Sequence, residues 1–260
     1  MNRLIQTGAP DSSSLTQQSL RKSLQGDDYR GAVSPVSYFL PANYEPNYKY
    51  PLIVWLHQDG GCDRQVADVM PHVSTQNYVA VGVRAPRAMD AAGRAFGWLD
   101  SPLGTAVAEE AVFSAVDVAM HRYSVNPSRV YLAGYREGGT MAMRLGLRNA
   151  DRIDGVISID GELPRGGRPL CDLEGARRLA ILSAVAMESR RYPVERVCED
   201  LKLWHTARLR MDMRQYTVDD CMVTEVLRDV NAWVMARVTG QPTGGCIPDS
   251  ETTPVEFSIN

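Results

Sequence analysis

Short apolar runs alternate with longer one-sided stretches through the middle of the chain. Residues 52–56 (LIVWL), 78–83 (YVAVGV) and 155–159 (GVISI) are continuously apolar, as strands buried on both faces are. Residues 104–123 and 224–238 instead carry their apolar side chains along one side, as amphipathic helices do. This alternation predicts an α/β fold, with a doubly wound, mainly parallel sheet covered by helices on both faces.

The other predicted elements complete a single domain, which we assign to residues 35–239. Residues 1–34 lack periodic apolar positions and are rich in Ser, Gln, Asp and Gly, so we predict a flexible N-terminal arm. Residues 240–260 are rich in Pro, Gly, Ser and Thr and predict an irregular tail. Within the domain, further strands are predicted at 36–40, 129–133, 179–184 and, at a sheet edge, 209–216, and further helices at 140–147 and 194–209.

Composition narrows the range of functions. The net charge of −3 over 260 residues gives no electrostatic reason to expect a nucleic-acid partner. No run approaches the roughly 18 apolar residues that cross a bilayer, so we expect no membrane span. The five cysteines are widely spaced and form no CxxC pair, which predicts free thiols and no zinc site. We therefore expect a cytoplasmic protein without metal or cofactor, and the sequence does not indicate its oligomeric state.

The most informative segment is the predicted strand–turn–helix at residues 130–139 (VYLAGYREGG). The segment resembles the nucleophile elbow G-x-S-x-G of α/β-hydrolases, in which a serine hydroxyl projects at the start of the helix. Gly134 and Gly138 match its two glycines, which the resemblance places in a turn too tight for side chains. In this chain Arg136 occupies the position of that serine.

The resemblance extends over residues 35–238. Residues 52–61 (LIVWLHQDGG) resemble the strand and loop L-H-G-x-G that supplies an oxyanion hole, with Gln58 replacing the first glycine after His57. Similar matches lie at 96–98, 101–104, 124–131 and 227–233. Together these segments resemble the phospholipase/carboxylesterase family of the α/β-hydrolase superfamily. The resemblance implies the α/β-hydrolase fold and, in a complete member, hydrolysis of carboxylic esters by a Ser-His-Asp triad.

That triad is degenerate here. The resemblance places the catalytic histidine in the loop 217–222 (TVDDCM), which contains no histidine, and its best match is Asp220. The position of the triad acid falls on Ser189, with Glu188 beside it, and Asp160 is another acid that follows a predicted strand. An arginine at position 136 stays protonated and offers only hydrogen-bond donors, so it cannot be the nucleophile. Losing two triad members makes serine-type hydrolysis improbable.

Three interpretations of Arg136 remain open at this point. It can form an ion pair with Asp220 that plugs the site, it can point to solvent or pair with Glu137, or it can help to bind a small anionic or ester-like ligand. The residues predicted to bind such a ligand are His57, Gln58, Asp59, Trp98, Arg136 and Glu137. Two functions follow: a non-catalytic binding or structural homologue, or a carboxylic ester hydrolase that uses non-standard residues.

Overall fold

A computed structural model describes residues 34–241. Apart from Ser34, Gly240 and Gln241, the predicted arm (1–34) and tail (240–260) lie outside these residues, so their character stays a prediction. Within the described residues, no helix is both long and apolar enough to cross a membrane.

Strands and helices alternate along the described chain. The strands are β1 (Val36–Phe39), β2 (Tyr50–Leu56), β3 (Val79–Val83), β4 (Arg87–Ala88), β5 (Phe96–Gly97), β6 (Val125–Tyr135), β7 (Gly155–Ile159), β8 (Ala180–Ala186) and β9 (Arg210–Tyr216). The helices are α1 (Gln65–Val73), α2 (Pro102–Arg122), α3 (Glu137–Arg148), α4 (Leu173–Arg178), α5 (Val194–Ala207) and α6 (Thr224–Thr239).

Seven strands form one sheet in the order β1-β3-β2-β6-β7-β8-β9, and all neighbours are parallel except β1 and β3. After β2 the chain places β3 on one side of it, and from β6 onward it adds strands on the other side. The carboxyl ends of β2 and β6 therefore meet where the strand order reverses, with Leu56 opposite Gly134. In open α/β sheets this reversal point is where ligands and catalytic groups gather.

Helices cover both faces of the sheet, as predicted. Strand β2 is buried throughout and alternates its side chains between two hydrophobic clusters. Leu52, Val54 and Leu56 join one cluster with α2 and α3, whereas Ile53 and Trp55 join the other with α1 and α6. A strand with two apolar faces requires this double cover, which explains the continuous apolar runs of the sequence.

The prediction missed α1, the short helix α4 and the two-residue pairing of β4 with β5. Helix α1 does carry the helical spacing, because Val66, Val69, Met70 and Val73 are buried together. Asp63 precedes α1 but does not cap it. Its carboxylate accepts from Arg84 Nε and Ser37 Oγ, both at 2.6 Å, and α1 has no side-chain cap.

Candidate functional site

The elbow at the carboxyl end of β6 has the tight geometry that its glycines predict. A Cβ atom on Gly134 would lie 2.4 Å from the carbonyl of Gly138, and one on Gly138 would lie 2.1 Å from the carbonyl oxygen of Leu56. Between them, Arg136 has φ 50° and ψ −116°, a strained conformation for a residue with a side chain. Its N–H donates to Ile159 O at 2.8 Å, so neighbouring β7 holds the strained turn in place.

Arg136 and Asp220 form the ion pair that was one of the predicted alternatives. Nη2 of Arg136 lies 2.8 Å from Oδ2 of Asp220, although 84 residues separate them in the chain. Both side chains are partly exposed, at 31% and 40%. A cation at a helix N-terminus is unfavourable by itself, and the carboxylate of Asp220 offsets it there.

Tyr135 is the buried partner of this pair, although no sequence pattern predicted it. Its hydroxyl donates to the carboxylate of Asp220, 2.6 and 2.7 Å from the two oxygens. Its ring lies under the guanidinium of Arg136, with Cζ 4.8 Å from the ring centroid. Burial and the contact with Asp220 raise the pKa of the Tyr135 phenol well above its usual range. The N–H of Met222 also donates to Asp220, at 2.8 Å, so this carboxylate serves three donor groups.

The carboxylate of Glu137 accepts a hydrogen bond from the loop that follows β2. The N–H of Asp59, which the family resemblance assigns to the oxyanion hole, donates to Oε2 of Glu137 at 3.1 Å. The other carboxylate oxygen of Glu137 forms an ion pair with Arg191 from the loop between β8 and α5. The side chain of Arg191 is 56% exposed, and its charged end reaches the elbow. Glu137 thus joins three loops across the site.

His57 is buried at the start of the loop that follows β2. It is fully buried, with Nδ1 2.7 Å from Gln58 O and Nε2 accepting the N–H of Ala85 at 3.1 Å. Both ring nitrogens are therefore occupied by backbone partners, and burial lowers the pKa of the imidazole. His57 was predicted to bind a ligand directly, but no surface of its ring is available for that.

Trp98, Gln58 and Asp59 also make contacts within the protein. Trp98 is buried and donates from Nε1 to His57 O at 2.7 Å, which makes it a core anchor rather than a wall of an open pocket. The side chain of Gln58 accepts from Gln65 Nε2 at 2.6 Å. The carboxylate of Asp59 accepts the N–H of Trp98 at 3.0 Å. Of the predicted ligand-binding residues, Arg136 and Glu137 therefore lie together at the mouth of the site, and the others hold the loop beneath them.

The predicted acid position, Ser189, makes contact with the alternative acid Asp160. The Ser189 hydroxyl donates to Asp160 Oδ2 at 3.1 Å, and both residues are buried. Burial raises the pKa of the Asp160 carboxyl to about 6. It also raises the pKa of the nearby Cys221 thiol, with further contributions from Asp160 and Asp220, so this thiol is a poor nucleophile.

Asp160→Asn is expected to change how stability depends on pH. A carboxyl whose pKa is raised by folding costs stability once it ionises, so wild-type stability falls as pH rises from about 4 to about 6. The variant lacks this loss and should gain about 2 kcal/mol over wild type between pH 4 and pH 7. Urea unfolding at both pH values measures the difference. Asp151→Asn, at an exposed carboxylate, is the control; equal behaviour of the two variants would contradict the role of burial.

The other three histidines of the chain lie on helices. His72 lies on α1 with Nδ1 3.4 Å from Thr224 Oγ1, and His121 and His205 are exposed on α2 and α5. The described part of the loop after β9 places Asp220, not a histidine, beside the elbow. The basic group beside Arg136 among the described residues is thus the carboxylate of Asp220, which already accepts three hydrogen bonds.

Part of the chain is similar in sequence to a known protein. The chain is 33% identical over 120 residues to NocK of Nocardia uniformis subsp. tsuyamanensis, an esterase by its name; the match covers 44% of this chain and a third (33%) of that protein. No family model matches the chain.

Solved structures resemble the chain over most of its length. They include a Bacillus cereus carboxylesterase (TM-score 0.63, 14% identity, covering 79% of this chain and 95% of that one) and Arabidopsis thaliana SOBER1 (0.61, 17%, 73% and 99%). A phospholipase/carboxylesterase of Dyadobacter fermentans is similar as well (0.58, 14%, 78% and 96%). At these identities the likeness shows the fold alone. With its sheet order, its elbow and these neighbours, the chain has the α/β-hydrolase fold.

Proposed function

We propose that this chain is a non-catalytic homologue of the phospholipase/carboxylesterase type, which acts as a binding or structural protein. The ion pair between Arg136 and Asp220 is the observation that carries the proposal. It stands where such an enzyme needs a serine hydroxyl beside an imidazole. A guanidinium has no lone pair to attack a carbonyl, and a carboxylate that already accepts three donors is a weak base.

The contacts of Glu137 support the same conclusion from the other side of the site. Catalysis of ester hydrolysis depends on N–H groups aimed at the developing oxyanion. The N–H of Asp59 is instead occupied by the carboxylate of Glu137, which would repel a negative oxygen. The nucleophile, the base and one oxyanion donor are thus each replaced by a contact within the protein.

Hydrolysis of a short-chain p-nitrophenyl ester tests the proposal. We expect the wild type and Arg136→Ala to turn over substrate no faster than buffer, because intact triads account for about a million-fold of rate. Labelling by a fluorophosphonate should also fail, since no serine stands at the elbow.

The double variant Arg136→Ser/Asp220→His is the comparison that asks whether the scaffold still supports the chemistry. Turnover by the wild type that Arg136→Ala abolishes would overturn the proposal. It would favour the alternative, a carboxylic ester hydrolase with non-standard residues.

A further inference from the structure

A concave site lies at the amino ends of the parallel strands, opposite the ends that carry Arg136. It is a groove of about 370 Å³ between the start of β2, the approach to β3 and the end of α6. Its wall includes Glu45, Tyr48, Tyr50, Asn77, Met235 and Val238. We propose that this groove binds a small organic cation of the alkylammonium type, independently of the function proposed for the elbow.

Two tyrosines form the aromatic corner of the groove. The rings of Tyr48 and Tyr50 meet at 72°, with their centroids 4.6 Å apart. Tyr50 is buried and stacks on Tyr44 at 5.4 Å, so its ring is fixed, whereas Tyr48 is 50% exposed. Tyr48 thus offers aromatic surface to a ligand. Because its ring already contacts the fixed ring of Tyr50, binding costs little side-chain entropy.

The charge of the groove selects a cation. Glu45 is the one charged residue among the described residues that line it. Its N–H donates to the Tyr50 hydroxyl at 3.0 Å, which fixes its backbone beside the aromatic corner. An aromatic face attracts a cation within about 6 Å of its centroid, and a neighbouring carboxylate adds to that attraction.

The far side of the groove suits the alkyl part of such a ligand. Met235 and Val238 are half-buried and supply apolar contact. Asn77 is held by its bond from Nδ2 to Asn231 Oδ1 at 3.1 Å, which gives this wall a fixed polar edge. An ammonium group with short alkyl substituents satisfies the aromatic, acidic and apolar sides together.

Titration of the full chain with tetramethylammonium tests the proposal, followed by ¹H–¹³C spectra of the tyrosine rings. tert-Butanol, a neutral molecule of similar shape, and sodium chloride at matched ionic strength are the ligand controls. We expect saturable shifts of Tyr48 and Tyr50 with tetramethylammonium in the millimolar range and none with the controls, and Tyr50 reports on the variants at position 48. Glu45→Gln should weaken binding about threefold to fivefold and Tyr48→Leu about threefold.

Two further variants separate binding from changes in folding. Tyr48→Phe keeps the ring and should bind like the wild type. Glu110→Gln, which removes an exposed charge on α2, should have no effect. The proposal is overturned if the shifts do not saturate, if tert-butanol causes the same shifts, or if Glu45→Gln binds as tightly as the wild type.

Discussion

Gly138→Ala is expected to destabilise the protein by more than about 3 kcal/mol, or to prevent folding altogether. The new Cβ would lie 2.1 Å from Leu56 O and 2.5 Å from His57 O, and both are backbone atoms of the central strand and its loop. Overpacking against side chains costs about 1–3 kcal/mol, and a buried backbone has less room to move away. Urea or thermal unfolding of the purified variant measures the loss.

Gly60→Ala is the matched control in the adjacent loop. Gly60 has φ +85°, but a Cβ there would meet nothing within 4 Å. Its cost should be limited to backbone strain of about 1 kcal/mol. Equal losses in the two variants would show that backbone conformation, and not the close approach of α3 to β2, makes Gly138 necessary.

Asp220→Ala should lower the free energy of unfolding by about 2–4 kcal/mol at pH 7. The change leaves the buried hydroxyl of Tyr135, the N–H of Met222 and the guanidinium of Arg136 without this acceptor. An unsatisfied buried donor costs about 1–3 kcal/mol. The partial exposure of Arg136 and Asp220 limits what their ion pair adds to this.

Asp219→Ala removes an exposed carboxylate next in the chain and should leave stability within about 0.5 kcal/mol of the wild type. A double-mutant cycle of Arg136→Ala with Asp220→Ala isolates the coupling of the pair. If Asp220→Ala proves as stable as Asp219→Ala, the carboxylate does not hold the elbow, and our account of this cluster is wrong.

The elbow combines a strained backbone with an arginine at its centre. Arg136 retains the positive φ that projects a side chain over the start of α3, and the flanking glycines still allow α3 to approach β2. Strain of this kind costs about 1–3 kcal/mol and persists where the surroundings impose it. In this chain β7 and the ion pair with Asp220 supply that support.

Much of the fold could be predicted because it depends on local periodicity. The run at 155–159 became β7 at the same residues, and the stretches at 104–123 and 224–238 became α2 and α6 with small shifts of their ends. Helix α1 was missed although its apolar spacing is helical, because polar residues and Pro71 interrupt the segment. Element ends depend on caps and neighbours, so they are less determined by periodicity.

The sequence alone determined that this is an α/β chain with a strand–turn–helix framed by Gly134 and Gly138, and it predicted that Arg136 and Asp220 take the positions of a serine and a histidine. These features depend on residue type and on spacing within a few positions. Only the tertiary structure decided that Tyr135 is the buried partner of Asp220, that Glu137 takes the N–H of Asp59, and that Arg191 reaches Glu137. Such contacts join residues up to 85 positions apart, and they depend on strand order, register and loop course, which local sequence patterns do not specify.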